Sequence, residues 1–129
     1  MDMASTHVEN DNHFGILVRF NYTADLENAI LGLPRRDRPD EQFIYRSGDS
    51  ALLGLVLART LGDRSVSSYL QERLVDPPRM EHGGVWSIDR DGGLERTWCC
   101  LAMTARDLAR VGQLALDRGQ WDQGRVVSP

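Results

Sequence analysis

One stretch of this chain constrains its fold more than any other. Ala51-Leu52-Leu53-Gly54-Leu55-Val56-Leu57-Ala58 runs for eight residues without a polar side chain. Alanine and leucine are strong helix formers, and Ser47 or Asp49 just upstream can cap a helix by accepting from the open N–H groups of its first turn. The predicted helix is apolar around its whole circumference, which describes a buried helix rather than one lying on a surface. Its stop is Gly62. Any fold for this chain must cover that helix on all sides. A chain that leaves part of it exposed tends to self-associate.

Other elements are read around it. Residues 1–15 form a polar lead-in expected to be poorly ordered, and residues 16–129 are read as one partial domain. Ile16 to Phe20 is apolar. Asp25 to Leu33 predicts a short helix with Asp25 as N-cap and Leu26, Ala29, Ile30 and Leu33 on one face. A charged, proline-bounded loop from Pro34 to Asp40 leads into Phe43-Ile44-Tyr45. After Gly62 a helix opens at Ser65, carries Val66, Tyr69, Leu70 and Leu74 on one side, and ends at Asp76-Pro77-Pro78. Val85 to Ile88 and Leu94 to Trp98 predict two strands joined by a glycine-bearing turn. Thr104 and Asp107 form a near capping box for a third helix, with Leu108, Val111, Leu114 and Ala115 as its apolar face and Gly119 as its C-terminal cap. Ser128-Pro129 is the pair that opens a helix, which reads as a sign of a fragment, the alternative being a frayed terminus where the pair carries no meaning. The fold class is α+β: mostly helical, with one β-hairpin.

The 129 residues amount to one domain, with 41% hydrophobic and 26% charged residues, ordinary values for a globular protein. Net charge is −4, and acids and arginines are interleaved. No basic stripe suggests nucleic acid as a partner. No apolar run approaches the ~20 residues needed to span a bilayer, and no secretory pattern is visible; the expected partners include neither membrane nor nucleic acid, and the expected location is cytoplasmic. Cys99 and Cys100 are adjacent and read as two small, reduced, buried side chains, because neighbouring cysteines bridge with difficulty; a redox or metal role is the alternative reading. No metal-ligand spacing occurs, and no metal or organic cofactor is implied. His7, His13 and His82 read as solvated, and Trp86, Trp98 and Trp121 as packing residues.

Tyr45-Arg46-Ser47 precedes the apolar helix and is the candidate site. A phenol titrates near pH ~10 and is a weak base at neutral pH. Beside a cationic lysine its phenolate forms more readily and can relay a proton between a serine nucleophile and a leaving amine. From spacing alone, the competing reading is that Tyr45 packs on the core and Ser47 caps the helix. Gly48-Asp49-Ser50 also echoes a block in which the serine is the nucleophile of a different lipase-esterase family, but the late Asp-x-x-His which that family needs does not occur.

The wider context of Phe43 to Gly54 resembles the second active-site motif of the serine hydrolases related to β-lactamases and penicillin-binding proteins. It is most similar to the branch holding class C β-lactamases, esterases and 6-aminohexanoate-dimer hydrolases. Tyr69 to Leu74, Asp76 to Glu81 and Trp86 to Asp89 continue the similarity. Ala105-Arg106-Asp107-Leu108-Ala109-Arg110-Val111-Gly112-Gln113-Leu114 is its most specific part. The matches cover about Phe43 to Val127, two-thirds of the chain. The resemblance implies hydrolysis of a small amide or ester through an acyl-serine intermediate, with Tyr45 as the catalytic proton shuttle and Ser47 as a substrate-side partner. It also implies a Ser-x-x-Lys motif, which this sequence lacks: all fifteen basic residues are arginine. Arginine does not deprotonate in proteins and cannot stand in for that lysine. The expectation is therefore a chain that is inactive alone, the alternative being a non-enzymatic, degenerate relative acting as a binding or structural module or a truncated gene product.

Overall fold

The computed structural model describes residues 15–33, 45–122 and 124–128. The polar lead-in up to residue 14, the charged loop together with Phe43 and Ile44, Gln123 and the final proline lie outside the described residues. The architecture is α+β. Among the described residues there are five α-helices: α1 (Ile16–Tyr22), α2 (Leu26–Leu31), α3 (Ser47–Leu61), α4 (Val66–Leu70) and α5 (Ala105–Leu116). β1 (Val85–Trp86) pairs antiparallel with β2 (Leu101–Ala102), and β3 (Gln120–Trp121) with β4 (Gly124–Arg125).

The apolar segment from Ile16 folds as α1. In α2, Asp25 is the N-cap, and its carboxylate accepts from the Asn28 N–H. The core joins these helices to α3: Phe20, Leu26, Ile30, Leu33, Ala51 and Leu55 are buried together, with Trp98 packed against them. Phe20 and Trp98 meet at 5.2 Å between ring centroids, tilted by 54°, a favoured aromatic arrangement.

α3 stops before Gly62 as expected, but it is not covered on every side. Ala51, Gly54 and Leu55 are buried, whereas Leu53 and Val56 are 66% and 47% exposed. The described elements flank one side of the helix only, so an all-apolar sequence yields a half-buried helix. α4 is capped by Ser65, whose hydroxyl accepts from the Ser68 N–H. It continues into a π-helical turn, Gln71–Val75, closed by the Asp76 N–H donating to the Gln71 carbonyl. In α5, Thr104 caps as predicted. Of its expected apolar face, Leu114 is buried, but Leu108 and Ala115 are exposed.

The helix ends with Gly119 N–H donating to the Leu114 carbonyl and Arg118 N–H to that of Ala115, a Schellman arrangement. Arg118 occupies the left-handed position at φ 53, with Gly119 next at φ 79. Gly119 also lies against the Val127 carbonyl, where a side chain has no room.

The predicted hairpin exists with a different pairing. Ile88 and Glu95 bridge around the turn at Asp89, but the chain then folds back through Thr97 to Cys100, and β1 pairs with β2 rather than with Leu94 to Trp98. The reason is Trp98: its ring is taken into the core, which removes that residue from the ladder. The adjacent cysteines, expected reduced and buried, are joined by a disulfide. Cys100 is exposed and Cys99 half-buried. The β3–β4 hairpin was not anticipated; its sequence signal is Asp122 ahead of Gly124, with Asp122 at φ 45 in the turn.

The hairpin region also satisfies the helix ends. Asp89 Oδ2 accepts from the Leu26 N–H at the start of α2 at 2.9 Å, and Glu95 Oε1 accepts from the Ser67 N–H at the start of α4 at 2.8 Å. Arg96 donates to the Phe20 and Asn21 carbonyls at the end of α1. Thr97 Oγ1 donates to the Ser50 carbonyl of α3 at 3.0 Å. The Leu26 and Ser67 N–H groups and the Phe20 and Asn21 carbonyls would otherwise be orphans of helix termini, whereas the Ser50 carbonyl lies inside α3 and gains Thr97 as an additional donor.

Gly54 is the point where the hairpin meets α3, because a Cβ there would collide with the Thr97 side chain. Alanine is the better helix former by ~1 kcal/mol, but overpacking costs about 1–3 kcal/mol. Gly54→Ala is therefore expected to lower the thermal midpoint. Thr97→Ala in the same chain is expected to recover part of the loss, and calorimetry of the parent chain and the two variants checks it. An unchanged or raised midpoint for Gly54→Ala would refute the close seating.

Candidate functional site

Tyr45 and Arg46 lead directly into α3. Arg46 is the N-cap residue, in extended backbone at φ −144 and ψ 124, and its side chain makes no capping hydrogen bond. Extended backbone sends successive side chains to opposite sides. Tyr45 is accordingly 74% exposed, while Arg46 is 6% exposed. Ser47 is the first helical residue and is also 6% exposed. Neither Ser47 nor Asp49 is the N-cap, which corrects that expectation; Asp49 instead lies in the first turn, where a negative charge complements the helix dipole. Arg46, Ser47 and Asp49 are each engaged in further polar or electrostatic interactions. The competing reading of Tyr45 as a core residue does not hold, since the ring stands open to solvent. The structure thus places the candidate shuttle outward and the candidate partner Ser47 inward.

A second concentration of charge lies at the start of α5. Asp107 is fully buried. Its carboxylate accepts from the Glu81 N–H at 2.8 Å, the His82 N–H at 3.2 Å, Thr104 Oγ1 at 2.8 Å and Arg110 Nη1 at 2.8 Å. Four donors occupy the ~4 lone-pair sites a carboxylate offers. The His82 ring nitrogen Nδ1 stands 3.5 Å from Oδ2, beyond the usual N–H···O range. The cluster is therefore a pin holding the loop after α4 to α5, rather than a histidine–aspartate pair set up for catalysis. The Glu81 amide above all, with the Thr104, Arg110 and His82 donors, holds the Asp107 carboxyl down to about 2, against burial, which pushes it up. Hydrogen bonds from Arg110 and then Arg106 hold the Glu81 carboxyl below its ordinary value. The capping box in the sequence signalled this residue; the loop amides it would collect were not legible, because they come from 25 and 26 residues upstream.

A groove of about 670 Å³ opens between α3 and α4, lined by Leu53, Leu57, Tyr69, Leu74, Trp86 and Val127 among others. Ser50, Thr97 and Arg73 supply polar groups at its wall. Neither Tyr45 nor Ser47 lines it, so this apolar concavity and the candidate proton shuttle are separate features. Among the described residues no three His, Cys, Asp or Glu side chains are placed to hold a metal ion. No helix among the described residues is long and apolar enough to cross a membrane.

The family model described as Beta-lactamase matches residues 1–128. No curated protein matches the chain.

The Asp107 pin carries a pH dependence with a definite sign. Its folded value lies below the ordinary 3.8, so the stabilisation is complete above about pH 4 and is lost as pH falls toward 2. Glu81 acts in the same direction. Asp107→Asn is expected to lower the thermal midpoint at pH 6 by several degrees and to flatten its fall between pH 4 and 2. Thermal melts across that range check this; an equally steep fall in the variant would place the acid sensitivity elsewhere.

Proposed function

The chain belongs to the beta-lactamase family, and we propose that it carries the proton-relay portion of a serine hydrolase site, with Tyr45 as the phenol that moves the proton. The observation that carries this reading is the exposed Tyr45 ring at the entry to α3, in a chain whose family match extends over residues 1–128. The reaction class is amide or ester hydrolysis through an acyl-serine intermediate, on a small-molecule substrate. The motifs around Tyr45 and Ala105 to Leu114 favour the class C, penicillin-binding and 6-aminohexanoate-dimer hydrolase branch. Ser47 is assigned to the substrate side of the relay. Its covered hydroxyl, next to the buried Arg46, suits a group that orients the Tyr45 segment as substrate binds.

The relay needs a nucleophile and a lysine base, and the sequence contains no lysine. Loss of one member of a catalytic set removes most of the set's contribution. By themselves these 129 residues are therefore inactive in this reading. The same lysine-free composition favours a second one, a non-enzymatic relative retained as a binding or structural module. A cytoplasmic location belongs to the proposal, in keeping with the absence of a membrane-length helix among the described residues. So does self-association through α3, for which the exposed Leu53 and Val56 are the anchors.

The purified chain is expected to hydrolyse neither a chromogenic cephalosporin nor p-nitrophenyl butyrate above the buffer rate, and to form no adduct with a fluorophosphonate probe. Turnover that falls ~10²-fold or more in Tyr45→Phe, the scale of general acid–base catalysis, would overturn the inactivity while supporting the phenol's role. Turnover unaffected by Tyr45→Phe would remove Tyr45 from the site.

Sedimentation velocity tests the association. The chain is expected to show concentration-dependent species that Leu53→Glu abolishes without loss of helical circular dichroism. A monomer at all concentrations would refute it.

A further inference from the structure

We propose that the Cys99–Cys100 pair is a redox-active site that exchanges two electrons with small dithiols. The two sulfurs are bonded across adjacent residues. A disulfide stabilises mainly by closing a loop in the unfolded chain, and its effect grows with loop length. With no residue between the cysteines, this bond closes almost no loop and contributes little as a staple. The corner is held without it: Cys99 N–H donates to the Arg96 carbonyl at 3.0 Å, Ser87 N–H to the Cys100 carbonyl at 3.2 Å, and Trp86 Nε1 to the Cys99 carbonyl at 2.9 Å. The bond is also accessible, since Cys100 is exposed. Exposed disulfides are the labile and regulatory ones, and in reducing compartments the disulfides that do form are mostly redox-sensing or catalytic. Cys100 sits at φ 70, a left-handed conformation that a non-glycine residue holds only when its surroundings impose it. The ring through the two sulfurs is one such restraint, and reduction removes it.

The exchange is balanced. A thiolate of the dithiol attacks Cys100 Sγ; the bond between the two protein sulfurs breaks, and Cys99 Sγ leaves as a thiolate that takes a proton from solvent. The second thiol of the reagent loses its proton and attacks the reagent sulfur of the mixed disulfide. This releases Cys100 as a thiolate, which is protonated in turn. The reagent ends as a cyclic disulfide, oxidised by two electrons, and the protein ends as two thiols, reduced by two. The corner lies two residues from Thr97, whose hydroxyl seats the hairpin on α3, and one from Trp98, whose ring reaches Phe20. A change in its restraint therefore occurs next to the contacts that hold the hairpin in place.

The test is a redox titration of the purified chain in mixtures of reduced and oxidised dithiothreitol, quenched with N-ethylmaleimide and read by intact mass and peptide mapping. The expected result is one reversible transition between a species with no adduct and a species with both cysteines alkylated. Hydrogen exchange at the Ser87 amide is expected to quicken on reduction, since that amide donates to Cys100. Cys99→Ser and Cys100→Ser are each expected to abolish the intramolecular transition. The wild-type titration stands whether or not these variants fold. Cysteines that remain alkylatable at the most oxidising ratio, or that couple between chains instead of within one, would overturn the proposal. A bond that survives excess reduced dithiothreitol in the folded chain would overturn it equally.

Discussion

Charged and polar side chains from one short hairpin region close the ends of the helices, and the rest of the structure depends on that closure. Asp89 accepts from the start of α2, Glu95 from the start of α4, Arg96 donates to the end of α1, and Thr97 donates into α3. Short helices such as α1, α2 and α4 are marginal alone, because nucleation is costly and few hydrogen bonds repay it. Closing their termini removes the unsatisfied groups that would be expensive next to a core. The apolar contacts among Phe20, Ile30, Leu55 and Trp98 supply the driving force, and the polar clasp makes one arrangement of the helices fit it.

The candidate site inherits its position from this clasp. Thr97 against Gly54 sets where α3 lies on the hairpin, and the entry to α3 then decides which of Tyr45, Arg46 and Ser47 faces water. The extended N-cap turns the phenol outward and the next side chain inward. A proton relay needs an accessible phenol, and the geometry provides one. The apolar groove between α3 and α4 is lined by neither Tyr45 nor Ser47 and begins one turn further on, at Ser50.

Some elements were legible because they depend on neighbours in sequence. Asp25, Ser65 and Thr104 cap their helices through N–H groups three residues on, and Gly62 ends α3. Other elements were not. The run Ala51 to Ala58 reads as buried all round, but burial depends on what packs nearby, and Leu53 and Val56 remain exposed. The pairing expected between Val85 to Ile88 and Leu94 to Trp98 forms only near the turn, where Ile88 bridges Glu95 and the Arg96 N–H donates to the Ser87 carbonyl; beyond it, packing of the Trp98 ring against the core competes with the ladder. Ser47 looks like a cap by residue type, but helical geometry begins at Ser47 itself and leaves Arg46 in the capping place.

By itself the sequence determined the α+β class, the N-caps of α2, α4 and α5, the resemblance around Tyr45 and Ala105 to Leu114, and the absence of lysine. These rest on residue chemistry and on spacings of a few positions, within which the backbone has little freedom. Only the tertiary structure decided that Asp107 gathers the Glu81 and His82 amides, that the hairpin closes the helix ends, that Tyr45 stands open while Ser47 is covered, and that Cys99 and Cys100 are joined. Each of these depends on where a distant segment lies or which way a side chain turns, and that is fixed by satisfying buried polar groups and packing rings together across the whole fold.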